Sequence, residues 1–166
     1  MNKRWLPLLL LLSLLLTMTG CGRRQAEPAD RLMLYFLADP TAVHGSALDT
    51  EPFLGGETPQ PEELLRALLR GPVKEGLANP FPRGVTLQGV DWDSTQEGTL
   101  RVSLSEQYST LSDISLTLAD YCIVLTLSQL EEVEAVVILA DGHAIRYRSH
   151  QRLEAEEIWL TDDRIG

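Results

Sequence analysis

The sequence predicts an α+β fold: one domain with a mixed sheet and two helices on one face. Short runs of alternating or continuous apolar residues mark strands, and two longer stretches with helical apolar spacing mark helices. The elements follow in the order β-α-β-β-α-β, with a further short β piece.

Arg31 to Leu37 (RLMLYFL) is a continuous apolar run bounded by Asp30 and Asp39-Pro40, as a buried strand should be. Residues 38–60 are rich in glycine, proline and acids and hold no period, so a long loop is expected there. Within it, Phe53 and Leu54 either present an apolar tip to a partner or fold back over the sheet. Residues 61–72 (PEELLRALLRGP) carry helix punctuation. Pro61 suits the first turn, Glu62 and Glu63 favour the positive end of the dipole, and Arg70 favours the negative end. Gly71 can adopt the left-handed conformation past the helix, and Pro72 prevents continuation. Leu64, Leu65, Leu68 and Leu69 form a stripe that must be packed.

After a turn-rich connection over 73–84, Val85, Leu87, Val90 and Trp92 suggest a strand whose alternation slips at Gly89, where a bulge is expected. Leu100, Val102 and Leu104 alternate with Arg101, Ser103 and Ser105, which completes a hairpin. Residues 114–130 form the second helix, with Ile114, Leu118, Tyr121, Cys122 and Leu125 on one face. It is apolar enough to be buried on more than one side. Cys122, with Tyr121 and Ile123 beside it, reads as a small core residue. Ala135 to Ala140 (AVVILA) fits a central strand, Asp141-Gly142 a tight turn, and residues 144–147 a returning edge strand. Residues 149–157 are polar and acidic, ahead of a short apolar clip at Ile158-Trp159-Leu160.

The first 21 residues read differently. Lys3 and Arg4 precede an apolar stretch from Leu6 to Leu16, too short to cross a hydrocarbon core of about 30 Å comfortably. Met18-Thr19-Gly20-Cys21 resembles a bacterial lipobox, with Met18 where Leu, Val or Ile is usual. Cys21 is therefore expected to be acylated and to become the mature amino terminus. The alternative is an ordinary signal peptide that ends near a cysteine. The expected organisation is a lipoprotein signal peptide over 1–20, a tether over 21–30, the domain over 31–148 and a C-terminal extension over 149–166. Nine extended residues after Cys21 would span about 30 Å.

The 166 residues are 44% hydrophobic and 23% charged, as expected of a globular domain. The formal charge of −10 argues against nucleic acid, which requires clustered Lys and Arg. Loss of Lys3 and Arg4 with the leader makes the balance more acidic still. The three histidines, His44, His143 and His150, occur in no zinc-binding spacing, so no metal or cofactor is expected. Asp91 and Asp93 flank Trp92 and would share one strand face. They could form a weak cation site or a carboxylate pair of the glycosidase kind, but two solvent-facing residues at the mouth of a hairpin is the preferred reading. No nucleophile elbow, phosphate loop or dinucleotide fingerprint occurs. The chain is thus read as no enzyme.

Three pieces, PEELLRALLRGP (61–72), LRVSLSEQY (100–108) and YCIVLTLSQLEEVEAVVILADG (121–142), resemble the GerMN domain of sporulation and germination lipoproteins. The resemblance covers about 31–148, with Ser103-Leu104-Ser105 standing where the family usually has Asp-Leu-Ser. It implies a fold similar to the ring-building motif of envelope assembly machines. It also implies a non-catalytic, lipid-anchored scaffold on the outer face of the cytoplasmic membrane, held through Cys21 and docked on envelope proteins. Phe53, Leu54, Asp91, Trp92 and Asp93 are the candidate contact residues, and exposed sheet edges offer self-association. The alternative is a lipoprotein that senses wall glycan or a small ligand in a pocket near Trp92 and the 38–60 loop.

Overall fold

The alternation of Leu100, Val102 and Leu104 with Arg101 and Ser103 builds the centre of the sheet in the computed structural model, which describes residues 31–38, 46–146, 148 and 150–158. The leader, Cys21, the tether, His44, Trp159 and Leu160 lie outside the described residues. From Arg31 onward the chain forms a compact unit with its own core. Its elements are β1 (Met33–Leu37), β2 (Leu48–Pro52), α1 (Pro61–Arg70), β3 (Leu87–Trp92), β4 (Thr99–Leu104), α2 (Asp113–Leu127), β5 (Ala135–Ala140), β6 (His143–Ala144) and β7 (Arg152–Glu154).

The α+β fold expected from the sequence stands. β3 and β4 are antiparallel, with the bulge falling between Leu87 and Gly89. β5 lies parallel to β4, and both β6 and β7 run antiparallel to its other edge. Asp141 (φ 51°) and Gly142 (φ 74°) supply the paired left-handed residues that a two-residue hairpin turn requires. On α1, Leu64, Leu65 and Leu68 are buried as the stripe demands. At its end Gly71 takes a positive φ of 88°, but with ψ 168° it is extended rather than left-handed helical. Glu63 reaches back so that its Oε2 accepts from Gln60 N at 3.3 Å, closing the start of α1.

Three expectations change. First, residues 38–60 contain a strand: β2 pairs with β1 in a separate two-stranded sheet, from Leu37 opposite Leu48 to Met33 opposite Pro52. The sequence LDTEP lacks apolar alternation because β2 earns its place through backbone pairing, and its buried Glu51 is satisfied by hydrogen bonds. Second, the buried side of α2 carries Leu116, Ala119, Cys122, Ile123 and Leu127, whereas Ile114 is 75% exposed. A helix apolar all round offers no unique stripe to read, so tertiary contacts chose the face. The helix also stops at Leu127, three residues short of the expected end. Third, the polar stretch after 149 contributes β7, which covers Ala135 to Val137 of β5.

Side chains of α2 and the residues just after it satisfy the outer edge of β1. Thr126 Oγ1 accepts from Tyr35 N (3.1 Å), while Gln129 accepts from Met33 N (2.8 Å) and donates to Met33 O (2.7 Å). Cys122 is fully buried, and burial pushes its thiol up to about 12, the setting of an inert core residue. Beside it the Tyr108 hydroxyl donates to Asp120 Oδ1 at 2.6 Å. Arg148 donates to both oxygens of Asp120 and also, at 2.6 Å, to the carbonyl of Ile138 on β5.

Candidate functional site

A large concavity lies where the end of β2 meets the C-terminal half of α1 and the approach to β3. It is an open groove of about 1350 Å³. Leu34, Phe53, Leu54, Leu69, Val73, Val85 and Leu87 supply its apolar lining. Two of these project to solvent, Leu54 at 83% exposure and Val73 at 87%. Both stand next to turns: Gly55-Gly56 follows Leu54, and Gly71-Pro72 precedes Val73.

The groove is held in shape by a buried acid. Glu51, at the end of β2, points its Oε2 at the turn after α1 and accepts from Val73 N (2.9 Å) and Lys74 N (2.8 Å). These are charge-assisted bonds to otherwise unpaired amides past a helix end, so hairpin and helix are locked together. Lys74 completes the clamp from outside, its Nζ donating to Asp49 Oδ2 (2.8 Å) and to Thr50 O (3.2 Å). That bond holds the Asp49 carboxyl below its usual range. Phe53 donates its N–H to Leu32 O (2.8 Å) and packs on the core, with its ring lying over Gly55 so closely that a β-carbon there would sit 2.1 Å from it. The two alternatives for this segment are thus divided between neighbours. Phe53 folds back and Leu54 is presented.

The remaining candidates lie elsewhere. β3 begins at the groove with Leu87 and ends at Trp92, about 17 Å further along at strand spacing. Asp91, Trp92 and Asp93 are not among the groove's lining residues. Trp92 is 48% exposed. Asp91 sits opposite Arg101 across the hairpin. Asp93 accepts from Thr95 N (2.8 Å) and Thr95 Oγ1 (2.6 Å), bonds that hold its carboxyl below the ordinary range and tie it into the turn. Arg101 Nη1 stands 4.0 Å away. A carboxylate so engaged shapes a turn, and among the described residues no hydrogen bond joins it to Asp91. Among the described residues, no three of His, Cys, Asp and Glu converge to hold a metal ion.

Val73 and Arg66 carry no signal of their own in the sequence, and Arg70 reads there only as the basic residue that suits the end of the helix dipole. The pairing of Glu51 with the 73–74 amides ties the segment that carries Val73 to the end of β2.

A family model described as Germane, sporulation and spore germination, matches residues 33–146. The tandem GerMN domains of the sporulation protein GerM from Bacillus subtilis share the fold at TM-score 0.59 and 18% identity, over 76% of this chain and 46% of that one. This chain therefore spans less than half of the tandem structure. The first GerMN domain of the same protein gives TM-score 0.59 and 19% identity, covering 76% of this chain and 98% of that domain. A candidate lipoprotein from Clostridium perfringens gives TM-score 0.50 and 19% identity, over 76% and 88% of the two chains. At such identities the likeness is one of fold. No curated protein sequence matches the chain.

Proposed function

The chain belongs to the sporulation and spore germination domain family, and from that membership we propose that it is a non-catalytic, lipid-anchored interaction module that docks on envelope proteins. The docking surface is the groove between β2 and α1. The observation that carries this reading is the exposure of Leu54 and Val73 over a groove whose walls are already clamped by Glu51. Each such side chain gains about 1.5–3 kcal/mol when fully buried, and a rigid groove loses little entropy on binding. Lipid on Cys21 would hold the domain at the outer face of the cytoplasmic membrane, with residues 22–30 as spacer.

A photo-cross-linking residue placed at Val73 tests the docking face in intact cells of the host, sporulating and vegetative. Capture of an envelope protein is expected, lost on Leu54→Asp and absent when the probe sits at Glu97 in the β3–β4 turn. Equal capture from both positions, or none from Val73, refutes the docking face. For the anchor, Cys21→Ser is expected to move the protein from the membrane fraction to the soluble one. Unchanged fractionation would refute lipidation at Cys21.

A further inference from the structure

We propose that the groove receives an acidic protein segment anchored by an apolar side chain, an inference that rests on the docking reading above. Of the charged groups lining the groove, Glu51 is committed to the Val73 and Lys74 amides, Lys74 to Asp49, and Glu63 to Gln60 N at the helix start. Arg66 and Arg70 remain. They are exposed, one helical turn apart on α1, and among the described residues neither forms an ion pair. An i,i+4 pair of like charges costs a helix a few tenths of a kcal/mol, which Glu62 and Glu63, one turn before Arg66, offset at Arg66 but not at Arg70. In a chain of formal charge −10, two exposed guanidinium groups that form no ion pair among the described residues stand beside exposed Leu54 and Val73. Screening over about 8–10 Å lets such a patch act independently of the acids elsewhere.

The shape selects the class of ligand. The volume of about 1350 Å³ exceeds the roughly 300–1,000 Å³ of small-molecule sites, so a chain segment fits better than a metabolite. A bilayer surface is flat and would leave the concavity between β2 and α1 unfilled. Arginine forks bind carboxylates in paired geometry, so Asp or Glu flanking a buried Leu, Phe or Trp is the complementary pattern.

Residues 31–166 form their own compact unit and can be tested as such with labelled octapeptides carrying a central Leu-Phe. These are flanked by Asp and Glu, by Ser and Gln, or by Lys. The acidic peptide is expected to bind about tenfold or more tighter than the neutral one. Arg66→Glu with Arg70→Glu should reverse that order in favour of the lysine peptide, a gain that a misfolded variant cannot show. Arg66→Lys with Arg70→Lys should keep the acidic preference. Equal binding of acidic and neutral peptides, abolished by Leu54→Asp, would overturn the acidic partner while leaving the groove as a docking site. Binding of no peptide would overturn both. Flotation with anionic but not neutral vesicles, without peptide binding, would overturn the proposal in favour of a membrane surface.

Discussion

Truncating Asp120 to alanine is expected to destabilise the domain by about 3–5 kcal/mol, because it leaves the Arg148 guanidinium charged and unpaired in the interior. The side chains of both residues are only 5% exposed. Arg148 bridges three elements at once: α2 through Asp120, β5 through the Ile138 carbonyl, and its own segment ahead of β7. The Tyr108 hydroxyl would lose its acceptor as well. Removing both partners is a different experiment. Asp120→Leu with Arg148→Met eliminates the two buried charges together and should cost less than either single change, since desolvation offsets most of what a buried pair gains. Urea denaturation of the wild type, Asp120→Leu, Arg148→Met and the double variant measures the cycle. A loss under about 1 kcal/mol for Asp120→Ala would show that the bridge contributes little.

The same carboxyl gives a pH signature. Burial raises Asp120 above its ordinary value of 3.8, against Arg148 and Tyr108, which pull it down. An acid whose folded value is raised contributes stability that is complete below the unfolded value and is lost as pH climbs through the folded one. As pH climbs above the ordinary value of 3.8, the native protein should therefore lose a share of stability that Asp120→Asn does not lose. The opposite slope would mean that Arg148 outweighs desolvation.

Leu68→Ala is expected to cost about 2–5 kcal/mol. Leu68 is wholly buried on α1 among Leu64, Leu65 and the rest of the core cluster. Its truncation leaves a void whose lining is rigid on two sides, the helix backbone and the sheet, so collapse cannot recover much of the lost contact. The Glu51 clamp begins three residues beyond α1, so the variant should also weaken groove binding. A thermal melt shifted by less than would correspond to about 0.5 kcal/mol contradicts this burial.

Legibility in the sequence followed the strength of local signals. Helix α1 was readable almost to the residue because Pro61, two acids, Arg70, Gly71 and Pro72 are each explained by backbone chemistry alone. β4 was readable from alternation, β5 from β-branched continuity and the bulge from a lone glycine. Strand β2 was not, since LDTEP has no pattern and depends on β1 for every reason it has to be extended. The face of α2 was misassigned because its apolar residues surround the axis. In the candidate site Phe53 and Leu54 were visible as apolar residues in a polar loop. Their separation from Trp92 was not, because nothing in a sequence measures the length of β3 against the position of a turn.

The sequence by itself determined the fold class, the order of the elements apart from β2 and β7, the family resemblance and the acidic character of the chain, since each follows from local propensity, periodicity and composition. Only the tertiary structure decided which side chains share a surface. Glu51 finds its partners 22 and 23 residues away and Arg148 finds Asp120 28 residues back. Contacts at such separations are set by how elements pack, and packing is cooperative across the whole core rather than written in any one segment.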